Sequence, residues 1–382
     1  MITEVCMNKP DYAVLRSNSE FVWYVNMSYY TMAELADVTL HELFTDCKAS
    51  LKLYSDENFK RFNSRFPMYE KIRKLNPATP PISYGHINGL GVELVFPDGN
   101  GEVNYIRTDK SYHEWIDILG GQIDFSRQGL APYYLKYQDD MSKAMGNRKI
   151  GFSYGYEGPI TTAYTMLDLK LYYDLYDEPE LLKEFLKKLS ASITQFKKFY
   201  CKANGSDYKN TSYMCDDCAA LISADMWEEF VIPYMDIVYS DVGANRRSLH
   251  SEGMISKHLK NLENLGITWF DPSVSPRLDP VIITKTCAVP FIWRMCEIYH
   301  SLLDRQLAMD FVFASVRDGA SGLFTTVREL SDHDINVVEG FIEACEMVDG
   351  MKKQGADNHD IGKLVSDRGK SIFWDRWRNE FI

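Results

Sequence analysis

The chain has 382 residues, 45% hydrophobic and 25% charged, with a net charge of −12. That length supports one large barrel or two ordinary domains, and the composition is that of a globular protein. Acidic residues spread along the chain argue against nucleic acid as a partner, since phosphate binding needs basic patches. No apolar run approaches the roughly 18 residues of a membrane-spanning helix, so no membrane association is expected.

The N-terminus, Met1 to Cys6, lacks the basic start and apolar core of a signal peptide. The eight cysteines are scattered rather than arranged as a disulfide framework. Both features predict a cytoplasmic protein. Aromatic residues are frequent up to Tyr30, with weak periodicity. From Thr31 to Lys74 the apolar spacing is helical, through Leu35, Val38, Leu43, Phe59, Phe62 and Phe66, until Pro77, Pro80 and Pro81 break it. Residues 1–78 are predicted to form a helical N-terminal extension packing on a barrel formed by residues 79–382.

A strand–helix alternation follows, from about residue 82 to about residue 345. Strands are expected at Ile150–Gly155, Thr211–Cys215, Arg247–His250, Ile267–Phe270, Pro290–Arg294 and Gly322–Val327. The helix after Asp177 carries Leu182, Phe185, Leu186, Leu189, Ile193, Phe196 and Phe199 on one face, with Asp177 as its expected N-cap. Ser223 is expected to cap a helix carrying Trp227, Phe230, Val231, Tyr234 and Val238. Repeated βα units with apolar strands predict α/β architecture, a (β/α)8 barrel of the TIM type, with chemistry at the C-terminal ends of the strands. There is no GxGxxG or Walker A loop to favour a nucleotide-binding sheet. The stretch Phe373 to Arg378 reads as a docking helix rather than a nucleic-acid surface.

The segment Arg246-Arg247-Ser248-Leu249-His250-Ser251-Glu252-Gly253 is a strand ending in two polar side chains. Positions i and i+2 of a strand point the same way, so His250 and Glu252 are candidate catalytic residues. They read equally as a zinc site or as a hydrogen-bonded pocket pair. Asp216 and Asp217 end the preceding strand, as a base, a ligand or a substrate anchor on one view and a helix-side cap or solvated loop pair on the other. Cys215 and Cys218 form a single CxxC, more in keeping with buried structural thiols, though Cys218 or Asp217 could join His250 and Glu252 on a metal. Arg294 and Arg328 near later strand ends either clamp a substrate carboxylate or pair with Glu297 and Glu329. Tyr84, His86, Tyr156 and Glu157, with Asp216, are the expected pocket wall.

Several segments in order resemble the uroporphyrinogen decarboxylase superfamily. They are Tyr84-Gly85-His86 with Leu90-Gly91-Val92-Glu93, Glu157-Gly158-Pro159-Ile160-Thr161, and Asp174-Leu175-Tyr176-Asp177-Glu178-Pro179. Asp216-Asp217 with Leu221-Ile222-Ser223, Glu228 to Tyr234, and His250 to Gly253 complete the set. The superfamily joins the decarboxylase to corrinoid-dependent methyltransferases. The decarboxylase carries an arginine-rich N-terminal motif, whereas Leu15-Arg16-Ser17 offers one isolated arginine. The zinc methyltransferases use His-x-Cys and a later Cys; here Glu252 replaces the first cysteine, and Thr325 to Arg328 supplies no second. The resemblance therefore implies a methyltransferase moving a methyl group between a small O-methyl or N-methyl substrate and a corrinoid, possible zinc assistance included. No corrinoid module is recognisable in the sequence, so the corrinoid would arrive on a separate corrinoid-binding protein. A catalytically altered binding protein and a decarboxylase of a small acid are the alternatives, and a homodimer is open.

Overall fold

The structure, a computed structural model, describes residues 9–17, 19–208, 211–241 and 246–374. The segment Met1 to Cys6 and the C-terminal stretch from Asp375 onward lie outside them. The chain divides into two compact units, one of Met1–Asn26, Ala220–Glu228 and Asn245–Ile382, the other of Met27–Ala219 and Glu229–Ala244.

In the first unit, strand Arg246–His250 pairs in parallel with Trp269–Asp271, aligning Ser248 with Trp269, Leu249 with Phe270, and His250 with Asp271. A parallel bridge from Phe270 to Phe291 leads to Ile292–Arg294, which pairs in parallel with Gly322–Val327. Strand Val22–Met27 lies beside Gly322–Val327 on its other side. Leu249, Phe270, Phe291 and Leu323 are fully buried, the burial on both faces that parallel strands show. Helices Arg305–Arg317 and Asp332–Lys353 flank these strands, capped by Asp304 and Ser331 through bonds to Leu307 N and Asp334 N. They approach closely at Gly340, where a Cβ would stand 2.5 Å from the Arg305 carbonyl.

The second unit carries parallel bridges from Ala78 to Gly151 and from Ile82 to Tyr154, and strand Thr211–Cys215. Ile150–Gly155 is thus strand-like only at its bridges. The apolar face read from the sequence is the buried face of helix Pro179–Asn204, where Leu182, Phe185, Leu186, Leu189, Ile193 and Phe196 are all inaccessible to solvent. Each such side chain contributes about 1.5–3 kcal/mol relative to exposure.

Two local expectations are corrected. Asp177 ends helix Lys170–Asp177 rather than capping the next one, which starts at Pro179 with Glu178 before it. Proline has no N–H to lose at the first helical position. Ser223 opens the short turn Ala224–Met226 without a side-chain cap, and the helix expected after it is split into Trp227–Phe230 and Ile232–Asp241. Pro233 cannot donate to the carbonyl four residues back, so a continuous helix through it loses a bond. Among the described residues no helix is long and apolar enough to cross a membrane.

Candidate active site

His250, Asp271 and Arg294 are the last residues of three successive parallel strands in the first unit. His250 and Asp271 are register partners, and Nδ1 of His250 lies 2.9 Å from Oδ2 of Asp271. A carboxylate only accepts, so Nδ1 carries the proton and Nε2 becomes the nitrogen that exchanges one. The other carboxylate oxygen, Oδ1, accepts from the Ser273 backbone N–H at 2.9 Å. Ser273 has φ +41°, a left-handed conformation that a serine adopts at a cost. Its hydroxyl accepts from Nη1 of Arg294 at 2.9 Å, and Nη2 of Arg294 bonds Oε2 of Glu297 at 2.9 Å. His250, Asp271, Ser273, Arg294 and Glu297 therefore form one connected polar network.

Glu252 belongs to the same corner, with Oε1 3.9 Å from Nε2 of His250 and a side chain 40% exposed. It does not get there by strand alternation. The strand stops at His250, and Gly253 at φ +74° turns the chain. A structural or catalytic zinc takes at least three protein donors. His250 and Glu252 offer two, and among the described residues no group of three or more His, Cys, Asp or Glu side chains is placed to hold a metal ion. Among the described residues, the donors as arranged do not make up a zinc site.

Arg294 sits 5.6 Å from the centroid of the Phe324 ring, which stacks on Tyr24 at 5.2 Å. Its Nε is buried without a hydrogen-bond partner. Burial opposes the Arg294 charge but Glu297 outweighs it, and the guanidinium ends with its pKa raised. Arg328 lines a separate cleft of about 240 Å³ that also includes Glu297, His300 and His333.

In the second unit Asp216 is fully buried and caps a helix from outside it. Its carboxylate accepts from Ile160 N at 3.0 Å, Thr161 N at 2.7 Å and Thr161 Oγ1 at 2.9 Å, at the start of helix Pro159–Leu167. These are orphan donors of a helix N-terminus, where a carboxylate is also favoured by the dipole. Burial nonetheless pushes its pKa up to about 7 against those bonds. Only glycine fits at Gly158, where a Cβ would lie 2.4 Å from Oδ2 of Asp216. Asp217 starts the turn Asp217–Leu221, and the Cys218 N–H bonds Thr161 Oγ1 at 3.0 Å. Burial pushes the Cys218 thiol up to about 11.

Tyr84 and Glu157 line a cavity of about 430 Å³ in this unit. His86 does not: it is buried between Phe125 and Phe196, with Nε2 3.0 Å from Ser192 Oγ and Nδ1 lacking a partner. Burial drives its pKa down to about 3, so the ring is neutral. Tyr156 packs edge-on against Phe196 and Tyr200, and burial raises its pKa. Asp271, Ser273 and Glu297 were not expected from sequence as site residues. The available signal was the repetition Leu249-His250 and Phe270-Asp271, a polar residue after a buried apolar one at two consecutive strand ends.

A family model described as uroporphyrinogen decarboxylase (URO-D) matches residues 86–286. The chain belongs to the uroporphyrinogen decarboxylase family. Its fold class is the family's α/β TIM barrel, in agreement with the parallel strands and flanking helices of each unit. Among solved structures, a methyltransferase from Methanosarcina mazei matches with a TM-score of 0.60, covering 88% of this chain and 97% of that one at 14% identity. At that identity the likeness is one of fold. No curated protein matches the chain. In this family member, the expectation of a (β/α)8 barrel from strand–helix alternation is borne out.

Proposed function

We propose that the protein is a methyltransferase moving a methyl group from a small O-methyl or N-methyl substrate to a corrinoid carried by a separate protein. The observation carrying this reading is the His250–Asp271 pair at adjoining strand ends, 2.9 Å apart, with Glu252 beside it. The family, and the fold shared with a methyltransferase, support the reaction class.

The difficulty in demethylating an ether is the basic leaving group, whose developing negative charge must be met by an acid. His250 fills that role. Its Nδ1–H is held by Asp271, which stabilises the imidazolium, and Nε2 gives its proton to the heteroatom that loses the methyl. An ether oxygen then departs as an alcohol rather than an alkoxide, while a departing amine is trapped as its ammonium. Glu252, with Oε1 3.9 Å from Nε2 and its side chain 40% exposed, returns the proton. The corrinoid, as co-substrate, supplies a nucleophilic cobalt that accepts the methyl. Arg294 is neutralised by Glu297 in the resting network, so we assign it to holding Ser273 and through it Asp271, rather than to clamping a free carboxylate. No step is routed through zinc.

The test follows methylation of a reduced corrinoid protein by a panel of methoxyaromatics and methylamines. Transfer from at least one donor, lost in His250→Ala, is expected. A detected rate unchanged in both His250→Ala and Glu252→Gln would remove this site from the reaction.

A further inference from the structure

A cleft of about 680 Å³ lies wholly within the first unit. Its size is within the roughly 300–1,000 Å³ of small-molecule sites. Among its lining residues, Ala288 precedes strand Ile292–Arg294, and Gly319, Ala320 and Ser321 precede strand Gly322–Val327. The cleft therefore opens at the N-terminal ends of these strands. Arg294 of the polar network ends one of them on the opposite side.

The charge of this cleft runs against that of the chain. Four cations line it, Arg16, Lys285, Arg317 and Lys352, and among the described residues Asp318 is the one acid of the lining. Asp318 is already engaged, accepting from Arg317 Nε at 2.8 Å and Nη2 at 2.6 Å, and from Trp374 Nε1 at 2.7 Å. That bidentate pair neutralises Arg317. Arg16, Lys285 and Lys352 remain, and among the described residues none of the three is in an ion pair. A protein of net charge −12 thus keeps three cations around one cleft with no carboxylate to meet them.

The fold positions Arg16 with neutral partners. Its Nη1 donates to the Cys287 carbonyl at 3.1 Å, and Nη2 to Thr284 Oγ1 at 3.0 Å and the Gly319 carbonyl at 3.3 Å. The Thr284 hydroxyl donates in turn to the Asp318 carbonyl at 2.7 Å. Gly319 permits this close frame, at φ +103° and where a Cβ would stand 2.4 Å from Thr284 Oγ1. The guanidinium is held in place while its charge stays uncompensated, and burial lowers its pKa. Lys352 likewise bonds a neutral acceptor, Asn358 Oδ1, at 2.6 Å.

Such a lining repels cations and attracts anions. A carboxylate or halide would meet one of the three charges and leave two. Linked phosphates carry several charges along a short chain, so that one ligand reaches more than one cation, each through a charge-assisted hydrogen bond. Tyr12, Phe21, Val281 and Val316 add a partly apolar wall for the organic part of a phosphate ester.

We propose that this cleft binds a di- or triphosphate group, free or carried by a small organic ester, with the phosphates on Arg16, Lys285 and Lys352. The inference concerns binding at the N-terminal strand ends and stands apart from the methyl-transfer reading.

The experiment is calorimetric titration of the full chain, in magnesium-free buffer, with tripolyphosphate, ATP, adenosine and sulfate. Saturable binding of tripolyphosphate at one site is expected, at least about tenfold tighter than sulfate and weakening as salt rises. Lys285→Gln and Lys352→Gln should each weaken it about tenfold, the loss of one charge-assisted hydrogen bond. Lys257→Gln removes an exposed cation outside the cleft and should change binding less than about twofold. ATP binding tighter than tripolyphosphate, with the gain lost in Phe21→Ala, would support the proposal with an ester as ligand. Equal or weaker ATP binding would support it with the inorganic ion. Variants are compared only where thermal melting shows them folded, and Lys285, exposed in the last turn of its helix, serves if Lys352→Gln does not fold. No saturable tripolyphosphate binding by the folded wild-type chain would overturn the proposal. So would sulfate binding as tightly, adenosine binding as tightly as ATP, or no effect of either lysine substitution. Because no turnover is read, loss of methyl transfer cannot be mistaken for failure of this site.

Discussion

His250 and Asp271 lie 21 positions apart in sequence and are register partners at the ends of adjoining parallel strands, joined by a 2.9 Å hydrogen bond. The pair fixes which imidazole nitrogen is protonated. Asp271→Asn keeps the shape but removes the charge that stabilises imidazolium and can present an N–H to Nδ1. We expect kcat for methyl transfer from an ether to fall about 100-fold, the lower range for a positioned general acid, with KM little changed. Steady-state kinetics of the two proteins checks this, and a fall in KM-controlled binding alone would contradict it.

The role given to His250 makes its importance depend on the leaving group. An ether needs the proton as the C–O bond breaks, whereas a quaternary ammonium releases a neutral amine and needs none. His250→Ala should therefore slow transfer from a methoxyaromatic by about 100-fold or more but transfer from a quaternary ammonium by less than about tenfold. Parallel assays with the two donor types measure the ratio. Equal losses would mean that His250 acts in something other than protonation.

Arg294 and Glu297 are only 20% and 15% exposed, so their ion pair is more than a surface contact. Arg294→Ala leaves Glu297 partly buried without its cation and releases the Ser273 hydroxyl. A loss of about 2–3 kcal/mol is expected, below the 3–5 kcal/mol of fully buried pairs. Burial raises the Glu297 pKa, but Arg294 outweighs it and the net shift is downward. A depressed folded-state pKa gives stability that is present above the unfolded value of about 4.5 and is lost as pH falls. Denaturant unfolding should show Arg294→Ala and wild type converging below pH 4.5, and a constant difference would exclude this coupling.

How much of this could be read from the chain differs by level. Strand Gly322–Val327 and strand Thr211–Cys215 were legible to the residue, since short runs of β-forming residues are bounded by breakers or charges. The buried face of Pro179–Asn204 was equally plain from its period. His250 was identifiable as a strand end, but its partner was not, because the pairing with Asp271 depends on the register between two strands, which a single sequence does not state. Glu252 was placed near His250 by alternation, yet it arrives through the turn at Gly253. Of the cavity lining in the second unit, Tyr84 and Glu157 were named as pocket wall, whereas Tyr29, Tyr30 and Tyr54 were not: Tyr29 and Tyr30 lie where the periodicity is weak, and only tertiary packing gathers them with Tyr84 and Glu157.

Asp216 gives the sharpest test of buried electrostatics. Three hydrogen bonds favour its carboxylate, yet full burial prevails and lifts the pKa from 3.8 to about 7. A folded-state pKa above the unfolded one means that the folded protein holds the proton more tightly. The associated stability is fully present below pH 3.8 and is lost as pH rises through about 7, so the folded state releases a proton over that window. At about 1.4 kcal/mol per unit the change is on the order of 4 kcal/mol. Asp216→Asn has no such proton. Its stability relative to wild type should therefore improve from pH 4 to pH 8 by a few kcal/mol, although it loses one or two hydrogen bonds worth about 1 kcal/mol each throughout. Gly158→Ala is the control, since its Cβ would press within 2.4 Å of the same carboxylate and destabilise the fold in either protonation state. Urea unfolding of the three proteins across that pH range decides the matter. If Asp216→Asn tracks wild type in parallel, the bonds from Ile160 and Thr161 outweigh burial, and Asp216 is ionised throughout.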